Sequence, residues 1–259
     1  MLNKSLKLFS FTCIFGVFGF FFRWLQTMTA FDEQSGLAAP GSLWSIVLLV
    51  YMIAVTAALV LLVCKLKPMS FPLEYSEALF TATPLFNIIC VAAAVIMALG
   101  GVLTLINSVT PPYSIFELIT GLFAIVAAFC LVAVLRSTKR DHAEARGASA
   151  ALVFDLFMCF WLIASYKSFA SDPVIWNFAP RLLAICAGVL AFYYIAGYPY
   201  KKPKPLPTLF FSNLSAFLFI ITFADNYSFG TQLLSFSCAA ALCLFSVIIV
   251  SNAKLPAEE

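Results

Sequence analysis

Six residues carry the chemistry that this chain could perform, and all stand in or beside long apolar runs. Arg23, Lys167 and Arg181 lie at the ends of such runs, apart from the other basic residues of the sequence. Glu117 and Asp225 project to the same level, and Asp155 lies deeper, inside ALVFDLFMCFW. Guanidinium and ammonium groups form charge-assisted hydrogen bonds to carboxylate and phosphate oxygens. A cluster of three such cations with two acids therefore suits an anionic or zwitterionic solute, and the candidate ligand-binding set is Arg23, Glu117, Lys167, Arg181 and Asp225. A second set, Asp155, Asn87, Asn213 and Gln232, is polar at membrane depth. Asp155 could relay a proton or donate a hydrogen bond to Asn87 or Asn213. The competing reading makes the basic residues snorkelling anchors or partners in structural ion pairs, Arg181 with Asp172 or Lys167 with Glu117.

Several chemistries are excluded. The lone histidine, His142, sits in a charged loop, and none of the eight cysteines (13, 64, 90, 130, 159, 186, 238 and 243) forms a CxxC pair, so no zinc spacing exists. The cysteines read as small apolar side chains packed inside the bundle. There is no GxSxG elbow and no Walker A loop. The last two apolar runs hold no lysine before Lys254, which removes a retinal-type Schiff base. Asp155 and Asp225 are expected near opposite faces, too far apart for an aspartyl pair. No cofactor is expected. The net charge of +3 is dispersed over short loops, which does not fit nucleic-acid binding.

The elements that position these residues follow from composition. The 259 residues are 63% hydrophobic and 10% charged, with a mean hydropathy of +1.01. A spanning helix needs about 20 apolar residues, because the hydrocarbon core is ~30 Å thick. The expected spans are 6–28, 42–64, 78–106, 113–135, 148–170, 178–198, 206–225 and 230–251, an all-α polytopic bundle in one transmembrane domain over 1–259. The first span resembles a signal peptide but lacks a small-x-small cleavage site, and it is taken as retained. Glu74 and Glu77 should cap the start of the third span, with Pro84 kinking it.

Twelve of the fifteen basic residues then fall on one side, in the N-terminus, the alternate loops and the C-terminus. By the positive-inside rule both termini are cytoplasmic, with the plasma membrane as the expected location. The sequence also hints at a 4+4 parallel repeat with halves 1–135 and 148–251 joined by the basic loop 136–147. Lys-Pro turns precede the third and seventh spans, Asn87 matches Asn213, and Glu117 matches Gln232.

Three function classes compete. The first is a transporter, or a membrane subunit of one, binding an anionic or zwitterionic solute at an outward-facing polar pocket. The second is a non-enzymatic sensor or assembly factor, with the basic loops meeting a membrane or cytosolic protein partner or anionic lipid heads. The third is an enzyme acting on lipid through Glu117, Asp225 and Asp155. All three expect the lipid bilayer as a partner.

Overall fold

The structure is a computed structural model that describes residues 2–30, 42–81, 83–111, 113–137, 143–169, 174 and 178–254. The helices are α1 (Leu2–Thr29), α2 (Leu43–Cys64), α3 (Tyr75–Ala78), α4 (Pro84–Ser108), α5 (Ile115–Ser137), α6 (Ala143–Phe169), α7 (Ala179–Ala196), α8 (Pro205–Ile221) and α9 (Phe229–Asn252). All but α3 are long and apolar enough to cross a membrane, so among the described residues there are eight candidate spans. In hydrocarbon every backbone polar group needs an internal partner, which a helix supplies and an open strand does not. The described residues hold no strand, only an isolated bridge between Ser70 and Lys254. The chain is a multi-pass helical membrane protein, in contact with lipid.

Helix starts follow local chemistry. Prolines 84, 180 and 205 occupy the first positions of α4, α7 and α8, where the missing N–H costs nothing and the fixed φ suits a helix. This corrects two expectations about the third span. It begins at Pro84, not residue 78, so Pro84 starts the helix without kinking it. Glu74 and Glu77 belong to the separate short helix α3, and Glu74, at its N-cap position, makes no side-chain capping bond.

Burial rises along the chain. Only 28% of the apolar window of α1 or α2 is buried, against 78% for α9. Helix α9 is the most buried span, packed on α4, α8 and α1, and α4 to α8 follow one another in sequence order to form a ring that α9 closes. Helix α2 lies outermost, against α1 and α8. The exposed residues of α1 and α2 include Phe18, Phe21, Leu43, Ile46, Val50 and Ile53, a continuous apolar surface suited to lipid and not to water. Glycines permit the closest approaches. A Cβ on Gly101 would stand 2.8 Å from the Gly121 carbonyl oxygen, and one on Gly230 would stand 2.8 Å from the Thr104 nitrogen. Helix α4 is thereby drawn against both α5 and α9.

The equivalence of two halves is not visible in this packing. Helices α7 and α8, the second and third spans of the later half, share an extensive interface, and α2 and α4 share none comparable. The thiols depart from a uniformly buried set: Cys90, Cys238 and Cys243 are buried, Cys13, Cys130 and Cys159 partly so, and Cys64 and Cys186 exposed on the bundle surface. Sulfur tolerates an apolar surround, so exposure to lipid carries little penalty.

One end of the bundle holds the starts of α1 and α3 and the end of α9. There Asn252 Nδ2 donates to the carbonyls of Ala78 and Phe80 (3.0 and 2.9 Å), Ser70 and Lys254 exchange backbone hydrogen bonds, and the Tyr75 hydroxyl donates to the Val134 carbonyl. The α2–α4 connection is thus tied down across this end. Arg23, Glu117, Arg181 and Asp225 lie at the other.

Candidate functional site

Two buried arginines dominate the opposite end of the bundle, and their surroundings differ. Arg23, near the end of α1, is 1% exposed. Its Nε donates to Asp225 Oδ1 at 2.7 Å and its Nη1 to Gln26 Oε1 at 2.7 Å. Gln26 sits three residues on, the spacing that places two side chains on one helix face, and donates onward to Ser45 of α2 at 2.8 Å. Asp225 follows the short 3-10 turn Thr222–Ala224 that ends α8, and its backbone carbonyl accepts from Gln232 of α9 at 3.2 Å. This network joins α1, α2, α8 and α9. Snorkelling does not describe Arg23, because the side chain reaches across the bundle to a carboxylate.

Arg181, in the first turn of α7, is 7% exposed and lies between two aromatic rings. Its guanidinium carbon is 4.2 Å from the Tyr227 ring centroid and 5.7 Å from that of Trp161, within cation–π range. Asp225 and Glu117 both lie near enough to act on its charge. Its Nε has no hydrogen-bond partner among the described residues. Burial pushes the Tyr227 hydroxyl up to about 12, and the Asp225 carboxylate adds to that shift while Arg181 and Arg23 oppose it. Tyr227 is therefore neutral at any physiological pH.

A partly open cavity of about 270 Å³ lies beside Arg181. Its wall includes Glu117 and Thr120 of α5, Trp161 and Ser165 of α6, Arg181 of α7, and Tyr227 and Thr231 at the start of α9. Three helices, α5, α7 and α9, present their N-termini here, where backbone N–H groups and the helix dipole favour negative charge. Helices α4 and α6 present their C-terminal turns through Thr104 and Ser168. Ser114 accepts from the Glu117 N–H (3.3 Å) and Ser228 from the Thr231 N–H (3.4 Å), so both helix starts are capped by hydroxyls on the cavity wall. Ser165, 3% exposed, leaves its Oγ without a partner among the described residues.

Beneath the cavity the bundle is closed by rings. Trp161 stacks on Phe219 at 5.7 Å and 11° and on Phe157 at 5.7 Å and 19°, and Phe154 packs on Phe157 and Phe192. Met158 and Cys238 meet at 3.9 Å below.

The remaining candidates are dispersed. Lys167 is an exposed residue outside the wall, its Nζ 5.8 Å from the Phe116 ring centroid, and it makes no ion pair with Glu117. The suggested partner of Arg181, Asp172, falls outside the described residues, as does His142. Asn213 is 1% exposed and ties three helices together, accepting from Thr12 of α1 (2.9 Å) and donating to Ser246 of α9 (2.7 Å). Asn87 pairs with Thr81 near the opposite end (3.3 Å). Neither contacts Asp155, which is partly buried on α6 with Oδ1 lacking a partner among the described residues. The expected Asp155–asparagine bonds are thus not formed, because both amides are engaged elsewhere.

Gln26, Trp161, Ser165, Tyr227 and Thr231 were not among the sequence candidates. The usable signal was helical spacing: Trp161, Ser165 and Ser168 share one face of α6, and Ser228 and Thr231 open α9. No protein-family model, curated protein or solved structure matches this chain.

Proposed function

We propose that this protein binds a small solute bearing an anionic group in the cavity beside Arg181, as a carrier or as the solute-binding membrane subunit of one. The observation that carries this reading is a buried arginine on the wall of a cavity. It forms no salt bridge among the described residues, and Asp225 and Glu117 act on its charge only from a distance, so an anionic group entering the cavity meets a buried cation that no carboxylate touches. Three converging helix N-termini add to the positive potential. The cavity's size, just below the roughly 300–1,000 Å³ of typical ligand pockets, favours a small molecule over a lipid tail or a peptide.

In the orientation set by the basic loops, the termini are cytoplasmic and the cavity faces away from the cytoplasm, at the plasma membrane. Arg23 and Asp225 support the site from behind, by fixing the end of α8 and the turn that carries Tyr227. Lys167 at the rim draws anions towards the opening.

A sensor that binds without transporting is the second reading, and the closed aromatic layer beneath the cavity favours it. A carrier must open that layer and the tied α2–α4 connection; a sensor need not. The purified chain in nanodiscs, titrated with small carboxylates, phosphates and amino acids, tests the shared claim. Binding that falls at least tenfold in Arg181→Gln supports it; equal binding by wild type and variant removes it. Uptake into proteoliposomes separates carrier from sensor.

A further inference from the structure

The charges around the cavity specify the ligand more narrowly than an anion. We infer that the site takes a small zwitterion of the amino-acid type, its carboxylate or phosphate on Arg181 and its ammonium on Glu117. This rests on the binding reading above and adds the second charge.

Charge balance points to the second charge. Arg23 and Asp225 form a direct pair at 2.7 Å, and their charges are balanced without a ligand. Arg181 and Glu117 remain, on the wall of one cavity, from different helices. They do not close on each other as a salt bridge; the ion pairs among the described residues are Arg23–Asp225 and Lys201–Glu144. Arg181 packs against the Trp161 and Tyr227 rings, which fix its place on the cavity wall. Glu117 is half-buried, three residues into a helix start that Ser114 caps. A simple anion would meet Arg181 favourably and Glu117 unfavourably. A simple amine would meet the reverse. Only a molecule with both charges satisfies both walls.

Helix N-termini of α7 and α9 lie beside Arg181 and Tyr227 and suit the anionic group, and the C-terminal turns of α4 and α6 offer carbonyl ends that suit a cation; the N-terminus of α5 favours the Glu117 carboxylate itself, so the ammonium is held by that charge and not by the α5 dipole. Lys167 does not cancel Glu117, because it is exposed, solvent-screened and outside the wall. Trp161, Phe116 and Phe169 supply apolar wall for a side chain.

The same pair of charges exists on free amino acids and on a phosphoethanolamine headgroup, and the test separates them. Full-length protein in nanodiscs of anionic lipid, with or without phosphatidylethanolamine, is titrated with glycine, leucine and phenylalanine, with their deaminated acids and decarboxylated amines, and with phosphoethanolamine. The expected result is that a free zwitterion binds and that removing either charge weakens it at least tenfold. Glu117→Gln should narrow or reverse the preference for the zwitterion over its deaminated acid, while thermal stability holds. If phosphoethanolamine or its lipid binds and the amino acids do not, the source is a headgroup. Deaminated acids that bind wild type as tightly as zwitterions overturn this inference and leave the anion site standing. No binding by any probe overturns both.

Discussion

Arg23 and Arg181 are both buried at one end of the same bundle, and they do different work. Arg23 has a carboxylate and an amide within 2.7 Å. Arg181 has aromatic rings, an Nε without a partner among the described residues, and a cavity. An arginine that spends its donors on protein acceptors holds helices together. On the proposed reading, one that has no carboxylate partner among the described residues, yet packs on rings beside a cavity, is arranged for something that comes from outside. The difference separates architecture from function more sharply than burial does.

The comparison can be broken first at Arg23. Arg23→Leu strands Asp225 in a buried site, and breaking one partner of such a pair costs roughly 3–5 kcal/mol. A large drop in thermal midpoint in detergent is expected, with Asp225→Asn milder because the amide oxygen can still accept from Arg23 Nε and Gln26 still holds the guanidinium. An unchanged midpoint in Arg23→Leu would show that the pair is not structural. Arg181→Lys should do the opposite. The aliphatic stem still fills the space, so the midpoint should fall by less than in Arg23→Leu, while probe affinity drops at least tenfold, because an ammonium lacks the planar fork. Parity of the two variants in both assays would erase the distinction.

Smaller effects sharpen it. Asn213→Ala deletes bonds to Thr12 and Ser246 and should cost about 1–3 kcal/mol with probe affinity unchanged once the protein is folded. Loss of binding in a stable Asn213→Ala protein would tie the core network to the site. Lys167→Ala should lower the association rate modestly at low salt and leave the midpoint alone; a tenfold loss of equilibrium affinity would place Lys167 in the site itself. Because Tyr227 stays protonated up to about pH 12, Tyr227→Phe should leave the pH profile of binding between about 6 and 9 unchanged, and a changed profile would assign that hydroxyl a proton-linked role.

The spans were legible in the sequence because a run of about twenty apolar residues is the length a bilayer core demands and a water-soluble surface does not tolerate. The third span's start was poorly located, since the apolar character of Ala78–Phe80 continues across a connection that the backbone breaks before Pro84. Both arginines stood out, because a basic residue away from the basic connecting loops is conspicuous. Their division of roles was not readable: whether a guanidinium meets a carboxylate depends on where α8 ends relative to α1, about two hundred residues apart in the chain. The hydroxyls of Ser165 and Thr231 were hidden for a different reason. Serine and threonine are ordinary in membrane helices, and only their convergence from separate helices gives them meaning.

Central to this reading is a cavity beside Arg181 that is open to water on the non-cytoplasmic side and electropositive around that residue. Ser168→Cys places a thiol on its exposed wall, to be treated in intact cells with membrane-impermeant anionic and cationic methanethiosulfonates and compared with the native chain. Modification from outside is predicted, faster with the anionic reagent, with that preference lost when Arg181→Gln is added. A thiol at 168 that reacts only from the cytoplasmic side, or with no preference between the reagents, would contradict it.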